Sequence, residues 1–308
     1  MKQVLSYIDA HIHLEQYEMS DIEAFMSGKS SDVRDAEGSH QTGASKNPEP
    51  HEQCTEDTLI GGHDCGGCDG DAGVSHLVAV SMNLESCRRT ERLAKQWPDV
   101  VLPAYGYHPE QPLPTEEELE QLLAWMDERR DQMIAIGEVG LPYYMRQEVE
   151  ERGESFYRDA YIELLIPFVE RAARWNKPIV LHAVYDDAAV VCDLLERYGV
   201  KRAHFHWFKG DEQTIDRMAA NGYYVSFTPD IVYEPEIQQL ARRYPRELVM
   251  TETDGPWPFE GPFTGRATAP AMVRDVAAAY AALHGMKHAE AAQQLYANAL
   301  RLYMGSAR

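Results

Sequence analysis

Met133-Ile134-Ala135-Ile136-Gly137-Glu138-Val139-Gly140 is a short apolar run that ends on one carboxylate held between glycines. A strand that alternates apolar and polar residues shows one face to water; a continuous run is buried on both faces, which is the signature of a parallel sheet covered by helices. Seven other runs of this kind lie along the chain, at Leu5–Ala10, Ser75–Val80, Val101–Gly106, Pro178–His182, Arg202–His206, Tyr223–Phe227 and Leu248–Thr253. With Met133–Glu138 they make eight.

Helical patterns separate the runs. Thr115 followed by Glu116, Glu117 and Glu118 starts an amphipathic helix carried by Leu119, Leu122, Leu123 and Met126, with the spacing of a capping box. Glu154–Trp175 and Ala269–Leu283 read the same way. Eight strand and helix alternations predict a closed (β/α)8 TIM barrel rather than an open doubly wound sheet, and no Gly-rich phosphate fingerprint favours the open form. The expected organisation is one barrel domain over residues 1–308, interrupted at about 28–73 by a low-complexity insertion. That insertion is rich in Ser, Gly, Asp, Glu, Asn and Pro and reads as a long flexible loop. Its three basic residues against ten acidic ones give −7 of the formal −21, so the remainder still carries −14.

A charge of −21 opposes non-specific attraction to polyphosphate and counts against a nucleic-acid surface, although bound divalent cations can reverse the local field. No apolar run approaches the ~20 residues of a membrane span, and the first residues lack the long apolar stretch of a signal peptide, so no membrane partner and a cytoplasmic location are expected. Five cysteines, at positions 54, 65, 68, 87 and 192, are an odd count that does not resemble a disulfide framework. Cys54, His63, Cys65 and Cys68 within the insertion have the residue types of a small zinc knuckle but no familiar spacing. Oligomeric state is not legible.

The chemistry-bearing residues fall at the carboxyl ends of the runs, which is the catalytic end of a barrel. The first run leads into Asp9-Ala10-His11-Ile12-His13, where alternation sends both imidazoles to one side, so that they can chelate one ion or stand as surface histidines. Glu138 closes the fourth run, and its two oxygens can each serve one ion of a two-metal pair or pair with an Arg on the rim. His182 closes the fifth. In the sixth, His204 and His206 point the same way, with His206 the ligand candidate and His204 one layer deeper. Asp254 follows the eighth run in Glu252-Thr253-Asp254-Gly255-Pro256, next to the first strand if the barrel closes, where it can ligate a metal and take a proton from an attacking water. His108, in Tyr105-Gly106-Tyr107-His108-Pro109, either orients a substrate oxyanion or caps the helix after it.

In this order the motifs resemble those of the TatD family of metal-dependent hydrolases, a branch of the amidohydrolase-like barrels, over nearly the whole chain outside 28–73. The resemblance rests on Asp9-Ala10-His11-Ile12-His13-Leu14, Gly106-Tyr107-His108-Pro109, Ile136-Gly137-Glu138-Val139-Gly140-Leu141, His182-Ala183, His206-Trp207-Phe208-Lys209-Gly210 and Glu252-Thr253-Asp254-Gly255-Pro256. It implies two divalent ions (Mg, Mn or Zn), one held by His11, His13 and Asp254, the other by His182 and His206, with Glu138 between them. It also implies a deoxyribonuclease or phosphodiesterase activity, acting from a 3′ end by way of a metal-activated hydroxide, with Asp254 as ligand and general base and Glu138 as the second catalytic residue. Two positions depart from the family pattern. Pro142 stands where Asp is common and Val184 where Arg is common, and Arg is the usual planar clamp for phosphate. Arg266, Lys209 and Arg146 are the replacements the sequence offers for substrate binding. Tyr143, Tyr144, Trp207, Trp257, Phe259 and Phe263 cluster near the expected mouth, as loop packing or as stacking faces. The substrate is therefore DNA or a small phosphoester. The rival readings are a two-metal hydrolase of a small ester, amide or lactone, and a non-catalytic metal-binding protein that recognises a partner.

Overall fold

Each apolar run becomes a strand, and the strands lie side by side in chain order. The computed structural model describes residues 5–28 and 73–305. In it β1 (Ser6–Ile12), β2 (Gly73–Ala79), β3 (Val101–Tyr105), β4 (Ala135–Gly140), β5 (Ile179–His182), β6 (Ala203–Phe205), β7 (Tyr224–Phe227) and β8 (Val249–Thr251) form one parallel sheet in that order. The interior of the 28–73 insertion, with Cys54, His63, Cys65 and Cys68, lies outside the described residues. β8 returns to β1 through side-chain and main-chain bonds. Thr251 Oγ1 donates to the Ile8 carbonyl at 2.9 Å. Just beyond both strands Asp254 N donates to His11 O and His13 N to Gly255 O, each at 2.9 Å. The sheet thus comes round on itself as a (β/α)8 TIM barrel, and two of these bonds lie where the His and acidic residues gather.

Burial follows the double-sided reading of the runs. Ile8, Ala10, Val78, Val80, Ala104, Ala135, Val180 and Met250 pack with Ala299, Leu302 and Tyr303 of the last helix, His288–Tyr303. The alternate strand residues, among them Tyr7, Ile136, Ile179, Leu181, Phe205 and Val225, pack with the helices of the outer layer. Each such aliphatic side chain contributes roughly 1.5–3 kcal/mol on burial. The capping box at Thr115 is present, its hydroxyl accepting from Glu118 N at 3.2 Å, and the helix runs Glu116–Arg129. The helix expected from Glu154 starts at Arg158 instead, because a separate helix, Tyr143–Glu151, occupies the chain after β4.

Besides a register shift opposite Tyr7 and Ile8, two irregularities lie at sequence-predicted site residues. Asp9 pairs with Leu77 and Ile12 with Ala79, so β1 carries one extra residue around Ala10-His11. Ile136 pairs with Ile179 and Val139 with Leu181, so β4 carries one extra around Gly137-Glu138. A bulge of this kind re-aims a side chain that strict alternation would place elsewhere. Close approach at the next step requires glycine. Gly140, with φ of 157°, sits so near β5 that a Cβ there would lie 1.9 Å from the His182 carbonyl oxygen.

Candidate active site

His11, His13, Glu138, His182, His206 and Asp254 all converge inside the carboxyl end of the barrel, each no more than 9% exposed. Glu138 stands at the centre, and its two oxygens face different partners. Oε2 lies 3.1 Å from His11 Nε2 and 3.2 Å from His13 Nε2. Oε1 lies 3.1 Å from His182 Nδ1, 2.7 Å from His206 Nε2 and 3.3 Å from His108 Nε2. Asp254 Oδ1 approaches only the first group, at 3.2 Å from His11 and 3.5 Å from His13. The His11 and His206 rings stack at 3.8 Å between centroids, which brings the two groups together.

Burying so many ionisable groups is costly unless charge is balanced. Burial alone would raise Glu138, but His206, His108 and His11 around it hold its pKa well below the carboxylate range. Burial alone would lower the imidazoles. Glu138, with Asp254 beside it, overrides this at His11 and pushes its pKa well up. Glu138 and Glu15 do the same at His13, to about 10. Glu110 and Glu138 do so at His182, to about 9. Desolvation wins at His206, which falls to about 4. The pocket thus demands positive charge between Glu138, Asp254 and the histidines.

The same atoms fit a metal rather than each other. His11 Nε2, Glu138 Oε2 and Asp254 Oδ1 are buried without a hydrogen-bond partner although they stand at hydrogen-bond distances. Donor atoms of His11, His13 and Glu138 lie within 4.8 Å of one another, as do those of His11, His206 and Glu252 and those of His108, Glu138 and His182. Imidazole with carboxylate suits Zn, Mn or Fe.

His108 has a different hydrogen-bonding state from the other rings. Its Nδ1 accepts from Glu110 N at 3.1 Å, so in the neutral ring the proton sits on Nε2 and points into the site. Burial lowers its pKa, which favours that neutral form. A ring in this tautomer offers a donor to a substrate oxygen.

Three carboxylates were missed in the sequence, Glu15, 3.9 Å from His13 Nδ1, Glu110 and Glu252. Glu110 accepts from Tyr144 N (2.8 Å) and Met145 N (2.7 Å) and lies 3.1 Å from His182 Nε2, so it ties the start of the Tyr143–Glu151 helix to that ring and leaves His182 Nδ1 for the site. Nothing local to His108-Pro109-Glu110 announces this. Glu252 did have a signal, since it shares the alternation of Asp254 two residues earlier. It accepts from Trp207 N at 2.7 Å and lies between His204 and His206, 4.0 Å from each, and burial raises its pKa to about 8. His204 sits deeper, bonded to Tyr303 Oη at 2.7 Å and to Ser226. The chain just beyond β5, β6 and β8 is strained, with positive φ at Tyr185 (50°), Trp207 (39°) and Asp254 (48°), which costs ~1–3 kcal/mol each and is typical of functional loops.

The positions offered for phosphate do not join the cluster. Arg146 is buried and committed to Asp186 (2.5 Å) and Asp187 (3.5 Å). Lys209 Nζ stands 5.9 Å from the Trp207 ring, and the exposed Arg266 lies over Phe263 at 5.4 Å. Val184 is buried in the core. Among the described residues no helix is long and apolar enough to cross a membrane.

Truncating Glu110 to Ala is expected to lower affinity for a divalent ion at the His182 side by about 10- to 100-fold, the usual cost of losing a carboxylate behind a ligating His. Competition with a chromophoric chelator would show it; unchanged metal affinity would dismiss the role of Glu110.

Comparison with known proteins supplies the family and the fold. The family model described as TatD related DNase matches residues 68–304. The chain is 40% identical over 185 residues to an uncharacterized metal-dependent hydrolase of Haemophilus influenzae, covering 60% of this chain and 72% of that one. It is 28% identical over 192 residues to the human deoxyribonuclease TATDN3, covering 60% and 68%. Its fold matches the crystal structure of the TatD homolog YJJV of Escherichia coli K12 with a TM-score of 0.71 at 22% identity, over 97% of this chain and 98% of that one. The chain therefore belongs to the TatD-related DNase family of metal-dependent hydrolases.

Proposed function

We propose that this protein is a two-metal phosphodiesterase that cleaves DNA, in the manner of a 3′ exonuclease. The observation that carries the reading is the division of Glu138, one oxygen toward His11 and His13 and the other toward His182 and His206. In this reading His11, His13 and Asp254 would hold one divalent ion and His182 and His206 another, with Glu138 available to both. When bound, such ions lower the pKa of water and stabilise charge on phosphoryl oxygens. The protein supplies the rest. Asp254, kept ionised by His11 as burial is overridden, accepts the proton of the attacking water. His108 donates its Nε2 hydrogen to a substrate oxygen. Glu110 and Glu252 keep the His182 and Trp207 segments in place.

A second reading, hydrolysis of a small carboxylic ester or lactone by the same residues, is favoured by one fact, the engagement of Arg146 with Asp186 and Asp187 rather than with an anion site. Metal-loaded protein assayed with Mg, Mn, Co or Zn on end-labelled DNA, on a phosphodiester ester and on a panel of carboxylic esters separates the two. Stepwise shortening of the DNA is expected. DNA left intact under every metal while carboxylic esters are cleaved would reject the nuclease reading.

A further inference from the structure

Two of the arginines that could clamp a phosphate near this mouth are already engaged. Arg146 and Arg158 are both paired with Asp186 and Asp187. The whole chain carries −21. What stands open at the mouth instead is aromatic. Tyr144 is 47% exposed and Trp257 58% exposed. Tyr144 lies edge-on to His182, with ring centroids 6.0 Å apart, and its main-chain N–H is anchored on Glu110. Trp257 follows Asp254 by one turn, its N–H donating to the Asp254 carbonyl at 3.1 Å. Its ring stands 6.0 Å from that of Trp207, the neighbour of His206, and Trp207 is itself fixed by its Nε1 donating to Asp230 at 2.5 Å.

Loop packing does not account for these two rings. The loop that carries Trp257 is packed by Phe259 and Phe263, which are 5% and 2% exposed and form a small core with Met272. Trp257 stays outside that core with more than half its surface in water, as does nearly half of Tyr144. Tyr144 meets the His182 ring, and Trp257 meets Trp207, which follows His206 in the chain.

We propose that Tyr144 and Trp257 form a stacking subsite for the planar heterocyclic bases that flank the cleaved phosphodiester, in place of a cationic phosphate clamp. This rests on the phosphodiesterase reading above. Base stacking on an exposed aromatic is tolerant of sequence and insensitive to salt, whereas each neutralised phosphate adds about −0.7 to the slope of log affinity against log salt on single strands. Binding here follows the bases, with a slope shallower than about −1.

The test uses the full chain loaded with Mn and a fluorescent single-stranded hexanucleotide whose phosphorothioate backbone resists cleavage, compared with the same oligomer lacking bases at its last two positions. Anisotropy is expected to show binding weakened by about 5- to 150-fold for each base removed. Trp257→Ala should cost the intact oligomer about one such step and the abasic one nothing further, while Trp257→Phe recovers most of the affinity. Equal binding of the two oligomers by the parent protein, equal weakening of both by Trp257→Ala, or no binding at all would overturn the subsite. Cleavage of unmodified DNA is scored separately. Stacking without cleavage rejects only the nuclease reading, and cleavage indifferent to the bases rejects only the subsite.

Discussion

Glu138→Gln is expected to lower hydrolysis by at least about 1000-fold, or ~4 kcal/mol of barrier, which is the scale of losing a metal-held transition state. The substitution keeps size and shape but removes the charge that five imidazoles surround, and it turns one of two acceptor oxygens into an N–H donor. Whichever way the amide points, one of the two histidine groups faces a donor. The His11/His13 group or the His182/His206 group then loses its shared ligand, so bound metal per chain should fall along with turnover. Metal analysis after gel filtration, with the rate on a phosphodiester, checks both. A variant that keeps full metal content and activity within tenfold would show that Glu138 bridges nothing.

The metal-free protein should lose stability steeply as pH rises from about 6.5 toward 10, and metal should abolish that loss. Burial acts against charged imidazole, but the carboxylates beside His13 and His182 raise them from 6.5 to about 10 and about 9. A histidine whose folded pKa lies above its unfolded value stabilises the fold fully below the unfolded pKa, and that contribution disappears as pH climbs through the folded one. Glu252, raised by burial to about 8, acts in the same direction up to that pH, because the folded state holds a proton the unfolded chain has released. His206, lowered to about 4, has the opposite sign, but it acts only below 6.5. Above 6.5 these groups therefore share one sign. A divalent ion held by these deprotonated ligands would replace the lost protons and balance Glu138 and Asp254 across this window. Thermal unfolding followed with and without chelator should give midpoints that diverge across this window, by about 1.5–2 °C for each kcal/mol in a chain of this size. Parallel curves would mean that protons, and not a metal, balance this pocket in the folded protein.

The sequence carried the barrel because the two properties involved are local. A run such as Met133–Glu138 is apolar on both faces whatever surrounds it, and eight of them separated by helical patterns admit few arrangements. The residue types at the run ends were also legible, so His11, His13, Glu138, His182, His206 and Asp254 could be named before any contact was known. Simple alternation was not enough to aim them, since β1 and β4 each carry an extra residue at the site. Which atom meets which was a matter for the tertiary structure. Glu110 lies 72 residues from His182 and Asp9 lies 244 from Thr253, yet each pair is in contact. Those contacts depend on strand register and on closure of β8 onto β1, which are set by packing across the whole barrel. The same holds for the substrate side. Arg146 looked available for phosphate until the fold placed two aspartates against it, and Trp257, open in the sequence to loop packing or to stacking, stays exposed while Phe259 and Phe263 are buried. The chain by itself determined the barrel and the kinds of ligand at its mouth. Only the folded molecule decided how Glu138 is shared and which groups remain free for substrate, because side-chain availability is what is left after long-range pairing is complete.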